Sequence, residues 1–163
     1  MKDLGDDSHR LASLPVGTKV LLEGPYGRLT ADQRVTDRVV LVAGGIGITP
    51  LRALLEDLEG VPTTLVYRAR SARHLVLRAE IEELAARNGV TVHYLLGRRL
   101  AGSWLPAGAG SRSEVGVLRR LAPDLVRSDV YVCGPAGWAD AVVASVEAAG
   151  VPAPQVHLER FAW

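Results

Sequence analysis

The chain is poor in several residue types, and each scarcity excludes something. It has one cysteine, one methionine, one phenylalanine and two lysines among 163 residues. A lone thiol, Cys133, excludes a disulfide within the chain and a cysteine-ligated iron–sulfur cluster within it. It fits an intracellular, reducing compartment. The formal net charge is +1, so no electrostatic hold on nucleic acid or an anionic membrane is expected. Long apolar runs are absent too. The longest apolar stretch, residues 39–55, is interrupted by Gly44, Gly45, Gly47, Pro50 and Arg52 and reads as strand, turn and helix rather than a membrane span. Residues 1–14 are polar and charged and lack the apolar centre of a signal peptide. The four histidines, His9, His74, His93 and His157, show no metal-ligand spacing. Structural or surface roles are the default for all four.

What is present is an alternation of strand and helix patterns from residue 39 onward. Residues 39–43 are apolar throughout, as in a central parallel strand covered on both faces. Pro50 suits a first helical turn, where its missing N–H costs nothing. Leu51, Leu54, Leu55 and Leu58 give that helix a buried face, ended by Gly60. Strands are expected at 63–67, 90–96, 130–133 and 155–158. Helices are expected at 74–88, with Leu77, Ile81, Leu84 and Ala85 inward, and at 114–121 and 138–149. Residues 97–112 read as a loop. The pattern predicts an α/β fold, a five-stranded parallel sheet with helices on both faces. Residues 1–36 are different. A strand-like run at 19–23 closes on Gly24-Pro25-Tyr26-Gly27, a turn signal. One isolated strand cannot bury both faces, so this segment looks like the end of another domain. The expected organisation is therefore 1–36 as remnant and linker, and 37–163 as a nucleotide-binding domain.

Two strand-to-helix turns carry the chemistry. The first is Gly44-Gly45-Ile46-Gly47-Ile48-Thr49-Pro50, the second Cys133-Gly134-Pro135. Free N–H groups at a helix start favour an anion, and glycines let a pyrophosphate approach the backbone. The common dinucleotide fingerprint is matched poorly. Pro50 replaces its third glycine, and Tyr67, Arg68 and Arg70 stand where an acidic ribose ligand would be. Arg68, Arg70, Arg98 and Arg99 follow two adjacent predicted strands, and a guanidinium there can grip a ribose 2′-phosphate bidentately. Arg98 is the first candidate and Arg70 the second. The plainer alternatives are a turn made only for tight packing, solvated surface arginines and a cysteine acting as a small hydrophobe.

Taken in order, Gly24 to Gly27, Gly44 to Pro50, Cys133-Gly134-Pro135 and the tail His157-Leu158-Glu159-Arg160-Phe161 resemble the ferredoxin–NADP reductase superfamily, closest to its bacterial ferric reductase and NADPH oxidase-like branch. The resemblance implies that Gly44, Gly45, Gly47, Ile48, Thr49 and Pro50, with Gly134 and Pro135, cradle NAD(P)H. It implies adenosine-phosphate contacts at Arg68, Arg70 and Arg98. It puts Cys133 beside the hydride-donating nicotinamide carbon, Glu159 in the same corner, and Phe161 over a flavin ring. Trp163 competes with Phe161 for that last role. It also implies that residues 1–36 end a flavin-binding barrel whose flavin motif this chain lacks. FAD is then a cofactor of an intact parent and not of this fragment. The implied partners are that barrel and, in the ferric reductase branch, a membrane haem domain. The implied location is the cytoplasm, or the cytoplasmic face of a membrane, without direct membrane contact by this chain.

Two functions follow as expectations. One is the NAD(P)H-binding half of a flavin-dependent oxidoreductase that passes electrons to iron, haem or a carrier and is inactive as a fragment. The other is a non-catalytic nucleotide sensor or interaction module of the same fold. Basic rather than acidic residues after the second strand favour NADPH over NADH, with Arg98 as the discriminating group.

Overall fold

The computed structural model describes residues 6–21, 23, 29–109 and 113–161, with backbone alone for 6–8 and 161. Five parallel strands form one sheet: β1 (Val39–Gly44), β2 (Thr63–Ala69), β3 (Thr91–Leu96), β4 (Asp129–Pro135) and β5 (Val156–Phe161). Their spatial order is β3-β2-β1-β4-β5. After a first helix, α1 (Asp6–Ala12), come α2 (Ile48–Asp57), α3 (Arg78–Asn88), α4 (Glu114–Leu121) and α5 (Ala136–Ala148). The five-stranded α/β architecture expected from the alternating patterns is the one observed.

Strand alternation sorts the core into two layers, because successive side chains point to opposite faces. Val39, Leu41, Ala43, Leu65, Tyr67, Tyr131 and Cys133 pack with α2 and α3. Val40, Val42, Val66, Val130 and Val132 pack with α4, α5 and Trp104. Every residue of β1 is buried, which is why its sequence shows no polar alternation. Chain order runs outward from β1 through β2 to β3, then returns to the other side of β1 for β4 and β5. The crevice where that direction reverses lies at the carboxyl ends of β1 and β4, the place where open α/β sheets bind ligands.

Some expectations are corrected. The helix expected at 74–88 begins at Arg78, because Leu77 adopts a left-handed conformation (φ 57°). Val76 N–H donates to the Tyr67 hydroxyl at 3.0 Å. That bond draws the preceding segment onto β2, and Leu75 fills the layer ahead of half-buried Leu77. The strand expected at 19–23 does not form over 19–21, nor at Glu23. Among the described residues no strand pairs with it, and Val20 and Leu21 are exposed. The loop at 97–109 is partly core, with Trp104 fully buried. No helix of the described residues is long and apolar enough to cross a membrane.

The edge of the sheet opposite the crevice is locked by Asp129, which is fully buried. Its carboxylate accepts from Thr36 N–H at 2.7 Å, Thr36 hydroxyl at 2.5 Å, Val35 N–H at 3.1 Å and His157 Nε2 at 2.7 Å. The His157 ring stacks on Tyr131 at 4.3 Å, and the Tyr131 hydroxyl donates to the Thr30 carbonyl at 2.9 Å. Residues 30–36 are thereby strapped to the first residues of β4. Burial alone would raise the Asp129 pKa, but the hydrogen bonds from His157, Thr36 and Val35 outweigh it and hold it below the usual value. A depressed folded pKa stabilises the fold above the unfolded carboxylate pKa, and that stabilisation is lost as pH falls through the folded value. Asp129→Asn is expected to lower urea-unfolding stability at neutral pH by about 2–4 kcal/mol. The difference from the unsubstituted protein should shrink in acid; a gap that persists there would show that charge is not the cause.

Candidate nucleotide-binding cleft

The two glycine turns meet in space. Gly47 lies so close to β4 that a Cβ built on it would stand 2.1 Å from the Cys133 carbonyl oxygen. A Cβ on Gly44 or Gly134 would fall 2.6 or 2.7 Å from Cε3 of Trp138. Gly45 is different. It adopts a left-handed conformation (φ 56°) and faces open space, so its requirement is backbone conformation. A short 3-10 turn, Gly45–Gly47, leads into α2, with Thr49 and Pro50 in the first turn. The Thr49 hydroxyl donates to the Ile46 carbonyl at 2.9 Å. The second turn ends in Pro135, and α5 starts at Ala136.

Beside these turns lies a cleft of about 180 Å³, lined by Gly44, Gly45, Arg68, Ala69, Arg70, Arg99, Pro135 and Trp138. Its charge is of one sign. Arg68 is only 7% exposed. Its Nη1 donates to the Ala69 carbonyl at 2.6 Å, while its buried Nε has no partner among the described residues. Burial, and then the neighbouring Arg99, lower the Arg68 pKa from its ordinary value. The Arg99 guanidinium sits over the start of α5, 3.6 Å from where a Cβ on Gly137 would be. Helix starts carry partial positive charge. Three guanidinium groups and a helix N-terminus therefore converge on one hollow with no acidic residue among the described residues that line it. A buried N–H with no acceptor costs free energy.

The remaining expected site residues divide. Arg70 is exposed and lines the cleft. Arg98 is exposed, is not part of the lining, and gives way to Arg99, its neighbour. The step from β3 into the loop decides which of two adjacent arginines turns inward, and composition does not encode that. Ile48 is fully buried in the α2 layer, so only its backbone is available to a ligand. Cys133 is also fully buried, on the α2 face of the sheet, and does not line the cleft. Its thiol pKa is pushed up to about 12, by burial first and by the nearby charge of Glu159 second. Glu159 is half-buried and pairs in register with Cys133. Gly24 to Gly27, the Phe161 side chain and Trp163 lie outside the described residues. Among the described residues no group of His, Cys, Asp or Glu could hold a metal. Trp138 and Trp104 were not singled out from sequence. The available signal was Trp138 in the first turn after a Cys-Gly-Pro strand end.

A glycine-lined, cationic crevice at the reversal point of a parallel sheet defines a dinucleotide-binding α/β domain. The family model described as oxidoreductase NAD-binding domain matches residues 41–144, and the chain belongs to that family. It is 31% identical over 157 residues to the propane 2-monooxygenase reductase component of Rhodococcus jostii, covering 91% of this chain and 42% of that protein. It is 32% identical over 154 residues to the ferredoxin–NAD(+) reductase component of an alkene monooxygenase system from Xanthobacter autotrophicus, covering 89% and 45%. The cytochrome b5 reductase domain of Ulva prolifera nitrate reductase shares the fold, with TM-score 0.73 at 21% identity over 95% of this chain and 64% of that one. The chain thus has the nucleotide domain of the ferredoxin reductase-like fold. It spans less than half the length of the two curated relatives.

Gly47→Ala is expected to cost about 1–3 kcal/mol through overpacking against the Cys133 carbonyl, read as a lowered thermal midpoint; an unchanged midpoint would mean that the turn can yield. Cys133 should resist a thiol reagent at about pH 8 in the folded chain and react once guanidinium unfolds it. Rapid labelling of the native protein would show that the thiol is accessible.

Proposed function

We propose that this chain binds the reduced pyridine dinucleotide of a flavin-dependent reductase. The observation that carries the reading is Arg68, nearly buried, without a partner for its Nε among the described residues, and sharing the lining of a glycine-lined crevice with Arg99. The residues present fit a dinucleotide. The backbone of Gly44 and Gly45 forms the wall, the start of α5 supplies N–H groups, and Arg68, Arg70 and Arg99 supply cations for phosphate. NAD(P)H brings a hydride donor for flavin chemistry. The chain's own contribution is to bind, orient and exclude water, and no side chain need act as general acid or base. Cys133, Glu159 and Phe161 are the residues we assign to the nicotinamide end. With the thiol enclosed as observed, Cys133 contributes through its backbone carbonyl, which lies against Gly47.

In the longer protein, residues 1–36 would end a flavin-binding barrel that contributes FAD, and residues 37–163 would deliver the reductant. The fragment alone would bind nucleotide without turnover, in the cytoplasm, where reduced nucleotide is available. The named relatives are reductases of oxygenase systems, which supports an oxygenase or its electron carrier as the acceptor. The ferric reductase branch and a membrane haem domain rest on the motifs alone. One observation favours the sensor reading: Cys133 is closed off from the cleft. Fusing an upstream flavin barrel and following NAD(P)H-driven dye reduction separates the two, since a sensor would reduce nothing.

The convergence of three arginines supports recognition of a 2′-phosphate and hence NADPH over NADH. Calorimetry with NADPH, NADH, adenosine 2′,5′-bisphosphate and 5′-AMP tests this. Arg99→Ala should weaken the 2′-phosphorylated ligands about tenfold or more and leave 5′-AMP little changed, while Arg98→Ala should leave the affinity for both kinds of ligand little changed. Absence of heat with every ligand at millimolar concentration would refute the binding reading. Equal affinity for NADPH and NADH would refute the phosphate preference alone.

A further inference from the structure

Arg99 reaches the cleft from the segment joining β3 to α4, and that segment is tied to the rest of the domain through two indoles. The Arg99 backbone bridges Pro106, and Ala107 N–H donates to the Arg98 carbonyl at 2.9 Å. Between them Trp104 is fully buried, and its carbonyl accepts from Trp138 Nε1 at 3.0 Å. Trp104 Nε1 donates to the Ser145 hydroxyl at 3.0 Å. That hydroxyl lies 2.8 Å from Glu114 Oε2, and the other oxygen of the same carboxylate accepts from the Ser103 hydroxyl. Leu105 N–H donates to Ser103 Oγ at 3.1 Å. Residues 103–105 are thus bound to both α4 and α5. Meanwhile the six-membered ring of Trp138 rests against Gly44 and Gly134. One side chain therefore touches the floor of the cleft and holds the loop that carries its outer arginine.

We propose that Trp138 is a positioning residue for phosphate recognition: it sets Arg99 opposite Arg68 by holding the Trp104 carbonyl. This rests on the dinucleotide reading of the cleft. Two guanidinium groups with no anion between them repel, so without a tether the exposed one swings into solvent. The buried Trp138–Trp104 bond resists that movement. Removing the indole N–H leaves the Trp104 carbonyl without its donor and loosens the hairpin at 99–106. A phenylalanine keeps an aromatic ring on Cβ but lacks the Cε3 and Cζ3 atoms that touch both glycines, so 5′-AMP affinity reports any change in the cleft floor.

The experiment is calorimetric titration of the full chain and of Trp138→Phe with adenosine 2′,5′-bisphosphate and with 5′-AMP. Trp138→Phe should bind the bisphosphate about fivefold more weakly, the equivalent of one lost hydrogen bond, with 5′-AMP affinity unchanged within about twofold. Adding Trp138→Phe to Arg99→Ala should cost nothing further, because the indole acts on the phosphate only through Arg99. An unchanged ratio of the two affinities, an equal loss for both ligands, or losses that multiply in the double variant would overturn the proposal. If the unsubstituted chain binds neither ligand, the dinucleotide reading fails and this inference with it. Should Trp138→Phe not fold, Ser145→Ala releases the other end of Trp104 and is held to the same split.

Discussion

The close approach of two backbones at the crevice is the constraint on which the rest of the structure depends. Gly47 sits against the Cys133 carbonyl, and Gly44 and Gly134 share the face of Trp138. No side chain larger than hydrogen fits at any of the three. This contact draws α2 down onto the end of β4 and α5 onto the ends of β1 and β4. The strand ends, the helix starts and the cleft are consequences of one packing event, and the cleft walls inherit the rigidity of the central strands.

Against that rigid floor, the charge distribution is unsatisfied. Several arginines of the domain have carboxylate partners, as in Arg52 with Glu56 and Glu80, Arg78 with Glu82, or Arg160 with Asp140. Arg68 instead is buried beside another cation. A protein tolerates such an arrangement where strain serves a ligand, and a phosphate would turn repulsion into two charge-assisted hydrogen bonds. The stabilisation that the fold forgoes here would become differential affinity for an anion.

At the other end of the sheet the logic is reversed. Asp129 is buried with a full set of donors, and those donors come from residues 35–36 and from His157. The segment entering the domain is therefore fixed against β4 and β5, the same two strands whose far ends bear Gly134 and Glu159. An upstream domain attached through this segment would have its orientation set by the strand pair that also borders the cleft.

The apolar run at 39–43 and the glycines after it made the parallel sheet and its ligand end legible, because a doubly covered strand and a tight strand-to-helix turn each leave a local residue signature. The same holds for Pro50 in the first turn of α2 and Gly60 after it. Which arginine faces the hollow was not legible. Arg98 and Arg99 are chemically identical neighbours, and only the exit angle of the chain from β3, held by Trp104, separates them. Cys133 was readable as a strand end but not as a residue enclosed on the α2 face, since the side on which a residue lies follows from sheet parity and from what packs there. Residue pattern alone determined fold and crevice through local periodicity. The tertiary structure decided the membership of the site, because convergence of Arg68, Arg99 and Trp138 is a property of elements far apart in the chain.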